Sequence, residues 1–337
     1  MASIMGNTIK LSIFGESHGE CVGSTLFLQA PGIKIDYDFI KNQMLKRKSN
    51  GILTTPRIED DEVEIISGVF NGYTNGNPIT LIVKNKNTHS SDYEKDILRP
   101  SSADYTQKVK QMGFEDYRGS GFASARLTAA LVGAGGIILP ILKEKGIEIE
   151  SRIISIHGKT GSDMVEEVKK AKEEEDSVGG IIETTIKGLE PGIGEPYFDS
   201  LESDIAKAIF SIPAVKGIEF GLGFGFASKK GSEVNDPFEI NEGKVRTLSN
   251  NSGGIQGGIS NGENIVFRTV FKPTPSIGKT QKTVNLEENK NIDYNLHGRH
   301  DPCVLLRAGV IIDSLAGFVI LDELCTRYGY LYMKGSK

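Results

Sequence analysis

The stretch LTAALVGAGGIILPIL, residues 127–142, is the least polar part of this chain of 337 residues. It is too short to cross the hydrocarbon core of a bilayer, which takes about 20 residues, and Pro140 interrupts it. We therefore predict a helix from about Ala123 to Lys145 that is buried in the core of a globular protein.

A second apolar run, residues 304–324, predicts a closing helix of the same kind. Between the two runs and before them, short apolar segments alternate with turn signals, which indicates a mixed fold of strands and helices. Strands are predicted at residues 9–13, 24–28, 63–66, 79–83 and 181–186. Further helices are predicted after Asp36 or Asp38, after the serine pair at 101–102, and over residues 162–176 and 199–212.

The charge balance argues against a polyanionic macromolecule as partner. The chain has 44 acidic and 39 basic residues, a formal net charge of −5, and no basic tail. Nucleic acids and anionic membranes attract basic surfaces, so we expect a small-molecule partner and neither of those. The first ten residues lack a charged segment followed by an apolar one, so we expect no secretory signal and a cytoplasmic location.

Cysteine and histidine usage predicts neither disulfides nor a bound metal. Cys21, Cys303 and Cys325 are odd in number and have no CxxC spacing, which fits reduced thiols. No cluster of His, Cys and Asp residues has the spacing of a metal site.

Glycine is abundant and clustered. The chain has 40 glycines, well above the usual share of about 7%. Glycine permits tight turns and a close approach of the backbone to a ligand, so we expect several loops to converge on one site. The clusters are residues 15–23, 119–121, 217–225 and 253–262.

Parts of the sequence recur. SGVFNG at residues 67–72 matches GGIQGG at residues 253–258, and a pair of arginines eight residues apart precedes each long apolar run. We interpret this as two topologically similar halves, about residues 1–150 and 151–330, within a single domain of residues 1–337.

Three arginines stand where a solvated charge is not expected. Arg47 ends the apolar face of a predicted helix, Arg126 lies between small residues, and Arg307 enters the closing helix. An arginine at such a position is costly unless an acid or another anion pairs with it. A multiply anionic ligand would satisfy all three arginines together.

The glycine-rich motifs also allow other interpretations. GSGFAS at residues 119–124 resembles a dinucleotide fingerprint, but no hydrophobic strand precedes it, which argues against a Rossmann dehydrogenase. GESHG at residues 15–19 has the spacing of a serine nucleophile elbow, but a strand rather than a helix follows it. His18 in that turn suits either proton transfer or a structural role.

Six ordered motifs together resemble the chorismate synthase family over essentially the whole chain. The motifs are GESHG at residues 15–19, RPSSADYT at 99–106, RGSG leading to SAR at 118–126, GGIQGGISNG at 253–262, KPT at 272–274 and GRHDPC at 298–303. The resemblance implies an α/β (α+β) fold, a layered α-β-β-α sandwich with two internal pseudo-repeats, assembled as a homotetramer.

The resemblance also implies an activity. The family converts 5-enolpyruvylshikimate 3-phosphate to chorismate and phosphate by a 1,4-elimination that needs reduced FMN, without net redox change. This is the last step of the shikimate pathway of aromatic amino acid biosynthesis, and the enzyme would be a carbon-oxygen lyase acting on phosphates. NADPH is a candidate reductant of the flavin, and the sequence does not distinguish it from an external reductant.

The functional residues of the family can be carried over residue by residue. By resemblance, His18 would act as an acid, Asp301 would help take a proton through flavin N5, and Ser102 stands at a catalytic position. The implied substrate-binding residues are Arg47, Arg57, Arg126 and Arg307. The implied flavin-binding residues are Phe122, Ala123, Ser124, Asn251, Ser252, Gly258, Lys272, Pro273, Thr274, Pro275, Ser276 and Arg299.

The chain departs from the family pattern at several of these positions. Four residues differ from the usual one: Ser102 replaces histidine, Phe122 arginine, Leu127 glutamate and Asn251 histidine. A loop arginine between Lys48 and Thr54 is also missing. These changes leave a second interpretation open, a diverged non-catalytic or regulatory paralogue that binds flavin or a phosphorylated metabolite.

Overall fold

Two antiparallel sheets enclose a layer of helices. The structure, a computed structural model, describes residues 3–49, 53–54, 60–88, 93–296 and 301–334. The strands are β1 (Ile4–Met5), β2 (Lys10–Gly15), β3 (Cys21–Phe27), β4 (Pro31–Lys34), β5 (Val63–Ser67), β6 (Val69–Phe70), β7 (Tyr73–Asn75), β8 (Ile79–Lys84), β9 (Glu148–Ile156), β10 (Gly180–Lys187), β11 (Val215–Phe220), β12 (Phe238–Asn241), β13 (Lys244–Thr247), β14 (Ile255–Gln256), β15 (Ile259–Ser260), β16 (Ile265–Phe271), β17 (Gln281–Asn285) and β18 (Lys290–Tyr294). The helices are α1 (Tyr37–Arg47), α2 (Asp104–Lys110), α3 (Thr128–Glu144), α4 (Asp163–Glu173), α5 (Leu201–Phe210), α6 (Gly231–Val234) and α7 (Gly309–Tyr328).

The two larger sheets have the same strand order. The first contains β1, β2, β3, β8 and β5 in that spatial order, and the second contains β9, β10, β16 and β11. All neighbouring strands in both sheets are antiparallel. When β1 is left out, β2, β3, β8 and β5 of the first sheet correspond in turn to β9, β10, β16 and β11 of the second. The correspondence holds for the order of the strands across each sheet and for their order along the chain. The two halves of the chain therefore build sheets of the same topology.

The recurring glycine segments form matching hairpins. Strands β6 and β7 turn at Asn71 and Gly72, and β14 and β15 turn at Gly257 and Gly258. All four turn residues have a positive φ, as a two-residue hairpin turn of type I′ requires. In each half, the next strand is a central strand of the larger sheet, β8 or β16.

Helices α3 and α7 lie between the two sheets. Helix α3 packs against α7, α1 and the first sheet, and α7 packs against α5 and the second sheet. Most residues of both helices are buried, and a helix that is apolar all round must be covered all round. The layers are therefore sheet, helices, sheet.

This layer order differs from the expected α-β-β-α sandwich, although the mixed α/β class and the long buried helix are confirmed. Strands β8 and β16 alternate between buried and half-buried residues. Such alternation shows that a sheet has a covered face. It does not show whether the cover is another sheet or a layer of helices.

Glycines in α3 allow it to approach its neighbours closely in three directions. A Cβ atom at Gly135 would lie 2.2 Å from the Ser314 hydroxyl of α7, and one at Gly136 would lie 2.9 Å from the Ile40 Cα of α1. A Cβ atom at Gly133 would lie 3.0 Å from a leucine methyl of β8. The quoted apolar stretch therefore sets the spacing of the central layer.

Most predicted elements are present, with shifts at their ends. Helix α1 is capped by Asp36, whose carboxylate accepts a hydrogen bond from a backbone N–H of the first turn. Helix α5 is capped by Ser200, whose hydroxyl accepts the Ser203 N–H. The hydroxyl of Ser102 accepts the Asp104 N–H at the start of α2.

Among the described residues, one helical run is long and apolar enough to cross a membrane. It covers Arg118–Glu144, and 83% of its most apolar window is buried inside the protein. The central helix of a water-soluble domain has the same length and composition, which agrees with the predicted burial of residues 127–142.

Two carboxyl groups meet where α5 packs on α7. Burial, and then the charge of Asp204, raises the pKa of Glu323 to about 8. Burial also raises the pKa of Asp204. The pair therefore retains a proton near neutral pH.

We expect Gly135→Ala to lower the free energy of unfolding by about 1–3 kcal/mol, because the added methyl group would overlap Ser314 in α7. The matched control is Gly317→Ala in α7, whose Cβ would lie 2.8 Å from the Leu139 Cδ2 atom. A leucine side-chain end can move, so the control should lose less stability. Urea unfolding of both variants measures the difference, and equal losses would contradict the close helix contact.

The buried carboxyl pair predicts a pH-dependent stability. Folding raises the pKa of Glu323 from 4.5 to about 8, so the folded protein holds a proton that the unfolded chain releases, and stability falls as pH rises through this interval. In Glu323→Gln, the gain in Tm over the wild type should therefore be larger at pH 8.5 than at pH 5. The control is Glu166→Gln, which breaks an exposed pair with Lys169; a pH-independent gain in Glu323→Gln would contradict this account.

Candidate active site

Both halves of the chain line a cleft of about 1020 Å³. Its lining includes residues 101–103 and 122–128 of the first half and residues 210–216 and 274–276 of the second half. Ligand pockets usually enclose about 300–1000 Å³. The cleft therefore has room for a large ligand or for two ligands together.

Arg47, Asp61 and Arg126 form a buried charged cluster in the cleft wall. The Asp61 carboxylate accepts a hydrogen bond from Arg47 Nη1 at 2.8 Å and another from Arg126 Nη1. The three side chains are only 5–6% exposed. The sequence predicted an anion beside the inward Arg47. The structure shows that the Asp61 carboxylate is one such anion, because a buried cation needs a negative charge nearby.

Further hydrogen bonds fix the direction of each guanidinium group. Arg47 Nε donates to Thr128 Oγ1 at 3.0 Å, and its Nη2 donates to the Ala125 carbonyl at 3.1 Å. Arg126 Nε donates to Asn85 Oδ1 at 2.8 Å, and its Nη2 donates to the last carbonyl of β8 at 3.1 Å. Because the guanidinium plane is rigid, three such bonds set its orientation.

Local structure explains why these residues meet. Arg47 is the last residue of α1, and Arg126 lies in a short 3₁₀ turn, Ala125–Leu127, that leads into α3. The hydroxyl of Ser124 caps this turn by accepting the Arg126 N–H at 3.3 Å. Asp61 has a φ of +49°, a left-handed conformation that Asp and Asn adopt more readily than most residues.

The other half of the chain has a corresponding pair. Arg307 donates from Nη2 and Nε to Asp301 Oδ2 at 2.6 and 3.1 Å. Arg307 precedes α7 by two residues, as Arg126 precedes α3. Both arginines line the cleft, together with Thr128 at the start of α3 and Ala308 directly before α7. Since the N-terminal end of a helix is partly positive, the cleft favours anions.

His18 packs against the glycine turn at residues 119–121. Its side chain is not among those that line the cleft. A Cβ atom at Gly119 would lie 2.9 Å from the His18 ring, so glycine is needed for this approach. The edge of the His18 ring contacts Tyr93, with 5.2 Å between ring centroids. The Arg99 guanidinium, which does line the cleft, lies 5.0 Å from the Tyr93 ring centre.

An ion pair stands beside the His18 loop. Arg118 donates from Nε and Nη2 to Asp116 at 2.7 and 2.8 Å. This hydrogen bonding holds the pKa of Asp116 below its ordinary value, although burial opposes the shift. Burial, and then the charge of Asp116, raises the pKa of Glu16.

Ser102 and Lys272 contribute polar groups to the middle of the cleft. The Ser102 hydroxyl donates to the Arg99 carbonyl at 2.8 Å. Lys272, from the other half, donates to the Ser101 carbonyl at 2.9 Å and to its hydroxyl at 3.0 Å. Burial, and then the charge of Lys216, lowers the pKa of Lys272.

The residues of the cleft fit a flavin in their chemistry. A flavin has a phosphate at one end and an apolar ring system at the other, and it needs a cationic and an apolar surface. Lys207, Lys216 and Lys272 provide the cations. The apolar surface is provided by Leu127, Leu131, Val304, Ile311 and Leu315.

The buried cysteines and the acidic groups offer no alternative chemistry in the part of the chain that the structure describes. No group of three or more His, Cys, Asp and Glu side chains there could hold a metal ion. Burial raises the pKa of Cys303 to about 11. Cys303 is therefore a thiol, not a thiolate, at neutral pH.

The structure brings together twelve of the residues assigned from the resemblance. They line the cleft: Arg47, Ser102, Phe122, Ala123, Ser124, Arg126, Lys272, Thr274, Pro275, Ser276, Asp301 and Arg307. Five others do not line it: His18, Asn251, Ser252, Gly258 and Pro273. Arg57 and Arg299 lie outside the described residues.

Asn251 and Ser252 belong to a separate turn. Their backbone N–H groups donate to the Asp236 carboxylate at 2.8 and 2.9 Å. Gly258 turns the hairpin of β14 and β15, where a Cβ atom would lie 2.5 Å from the Glu195 carbonyl. Each of these positions has a local structural role.

Sequence reasoning missed Asp61, Asn85 and Thr128. Asp61 lies in the acidic run EDDE, residues 59–62, which has the composition of a solvated surface. Asn85 and Thr128 are single polar residues at the end of a strand and the start of a helix. Only the position of Thr128 directly after Arg126 and Leu127 pointed to the site.

Comparisons with known proteins give one family. The family model described as chorismate synthase matches residues 9–325. Relatives named chorismate synthase include one from Pyrococcus abyssi, 43% identical over 96% of this chain and 97% of that protein. Another, from Dehalococcoides mccartyi, is 42% identical over 98% of both proteins.

The fold also matches a solved structure, described as the crystal structure of chorismate synthase. The TM-score is 0.76 and the sequence identity is 26%. The match covers 96% of this chain and 94% of the other.

Proposed function

The chain belongs to the chorismate synthase family, and on that premise we propose that its cleft converts 5-enolpyruvylshikimate 3-phosphate to chorismate and phosphate. The reaction is a 1,4-elimination that requires reduced FMN. The enzyme is then a carbon-oxygen lyase acting on phosphates, at the last step of the shikimate pathway.

One observation carries the proposal: guanidinium groups from both halves line a single cleft at the starts of two buried helices. The proposed substrate has two carboxylates and a phosphate. Charge-assisted hydrogen bonds from arginine suit all three groups. The chain as a whole is acidic. Selectivity for anions therefore comes from the cations placed in the cleft and not from the net charge of the protein.

We assign substrate binding to Arg47, Arg126 and Arg307, together with Arg57. The pairing of Arg47 and Arg126 with Asp61 supports this role because it holds two cations side by side at the cleft wall. Because both arginine side chains are buried away from bulk solvent, they attract an anionic ligand more strongly than exposed arginines would.

We assign cofactor binding to residues 122–124 and 272–276, with Asn251, Ser252, Gly258 and Arg299. Reduced FMN, when bound, supplies electron density while the phosphate leaves. The lysines and apolar side chains of the cleft support its phosphate and its ring system. The assignment of Asn251, Ser252, Gly258 and Arg299 rests on the family resemblance alone.

We assign proton transfer to His18 and Asp301, with Ser102 at the third position. Asp301 lines the cleft and is held by two hydrogen bonds from Arg307. His18 packs against Gly119, next to the cleft residue Ser120.

We also propose a homotetramer in the cytoplasm, built from single-domain chains with two related halves. The hairpin of β12 and β13 supports self-association, because Phe238, Ile240 and Val245 are 66%, 73% and 60% exposed. Exposed apolar patches of this kind mark interaction surfaces. NADPH is the candidate reductant of the flavin.

The alternative is a paralogue that binds flavin or a phosphorylated metabolite without catalysis. The observation in its favour is Ser102, whose hydroxyl is hydrogen-bonded to the backbone at the start of α2. A serine held in this way is a weaker proton donor than a histidine at the same position.

The proposed function is tested by anaerobic conversion of 5-enolpyruvylshikimate 3-phosphate with chemically reduced FMN, followed as chorismate formation. We expect turnover by the wild type, and in His18→Ala a loss of about 100-fold to 10,000-fold, as for removal of a general acid. The control is His157→Ala, since the His157 ring is 65% exposed and bound to Glu167. Flavin binding without chorismate formation would favour the paralogue, and full activity of His18→Ala would remove His18 from the reaction.

We further expect Ser102→His to raise kcat by about tenfold or more, because it restores a proton donor to the cleft. The Ser102 hydroxyl also accepts the Asp104 N–H at the start of α2, so thermal unfolding must accompany the assay. Ser102→Ala separates the two roles, since it removes this hydrogen bond and adds no proton donor. If Ser102→His folds and binds flavin but gains no turnover, another group already fills the role.

A further inference from the structure

We propose that Asp61 is a positioning residue that holds Arg47 and Arg126 as one anion clamp, and that Asn85 ties this clamp to the His18 loop. The inference deepens the proposed function and rests on it, because the anion held by the clamp is the phosphate or a carboxylate of the substrate. Neither Asp61 nor Asn85 belongs to the residues that the family resemblance assigns.

The first step of the argument is the charge of the cluster. Two guanidinium groups side by side repel each other, and the repulsion is strong where side chains are only 5–6% exposed. Asp61 uses one carboxylate oxygen for each arginine, Oδ2 for Arg47 and Oδ1 for Arg126. The shared carboxylate therefore offsets part of the repulsion between the two arginines and holds them side by side.

The second step is the place of Asp61 in the chain. The residue lies just before β5, at a φ of +49°, while its partners lie at the end of α1 and at the start of α3. The carboxylate thus joins three separate elements through one side chain. Asn tolerates the same left-handed conformation as Asp, so Asp61→Asn removes the charge with little change in backbone preference.

The third step is the link to the His18 loop. Asn85 Nδ2 donates to the carbonyls of Glu16 and Gly19 at 3.0 and 2.8 Å. Asn85 Oδ1 accepts the Arg126 Nε–H at 2.8 Å. One amide side chain therefore fixes both ends of the loop that contains His18 and the orientation of Arg126.

A positioning role and a purely electrostatic role predict opposite changes. Removal of the Asp61 carboxylate adds one positive charge to the cleft wall, and charge alone would strengthen anion binding. Loss of alignment would weaken anion binding, because the two arginines would no longer present their donors together. The sign of the change in affinity therefore distinguishes the two roles.

The experiment is calorimetric titration of the full chain, wild type and Asp61→Asn, with inorganic phosphate. We expect affinity at least about fivefold weaker in the variant, as for loss of preorganisation. Equal or tighter phosphate binding by a folded Asp61→Asn variant would overturn the proposal. Turnover with reduced FMN should fall about 10-fold to 100-fold in kcat/KM, the cost of a misplaced contact, while flavin affinity stays unchanged.

The matched control is Asp322→Asn. The Asp322 carboxylate is also buried and accepts the backbone N–H groups of residues 7–9, and neither Asp322 nor these three residues line the cleft. This variant should lose stability and keep its phosphate affinity. An equal loss of phosphate affinity in Asp322→Asn would mean that general destabilisation, not positioning, explains the Asp61 result.

Asn85→Ala keeps the charge of the clamp and tests the same idea if Asp61→Asn does not fold. We expect kcat to fall about tenfold, more than KM rises, because the His18 loop is released together with Arg126. Values of kcat and phosphate affinity within twofold of the wild type would overturn the link through Asn85.

Failure of the proposed function gives a different pattern. A wild type that binds phosphate and forms no chorismate would contradict the proposed reaction, whereas weaker phosphate binding in Asp61→Asn would still support the clamp. Chorismate formation with unchanged kcat/KM in Asp61→Asn would support the reaction and overturn the clamp.

Discussion

The contact between α3 and α7 is the constraint on which the rest of the structure depends. Gly135 has no side chain where the Ser314 hydroxyl of α7 approaches, so the two buried helices pack closely in the layer between the sheets. Each helix begins at the cleft, with Thr128 and Ala308 in its lining. Since the N-terminal ends of helices are partly positive, the packing that forms the core also directs two positive ends toward one cavity.

The charged groups at these helix starts need partners within the buried part of the protein, and they must also be able to bind a ligand. A guanidinium removed from water is costly unless a carboxylate faces it, and Asp61 and Asp301 meet this requirement in the two halves. The same carboxylates fix the directions of the arginine donors. These contacts therefore contribute both to the stability of the protein and to the alignment of the cleft.

The sequence predicted the features that depend on local patterns. The apolar run at 127–142 indicated a buried helix, and the position of Arg47 on the apolar face of α1 indicated an inward cation. Contacts between distant segments left no such pattern: Asp61 lies in an acidic run typical of a surface, and Asn85 is one polar residue after a strand. The order of the layers was missed for the same reason, since alternation in a strand marks a covered face without identifying its cover.

The equal topology of the two halves allows the charged groups at their equivalent positions to be compared directly. In the first half, Arg47 and Arg126 both contact the carboxylate of Asp61. In the second half, Arg307 pairs with the carboxylate of Asp301. A framework of equal topology thus presents different sets of charged groups to the cleft. The pair of Arg307 and Asp301 keeps a carboxylate in the cleft wall without repelling an anionic ligand as an unpaired one would.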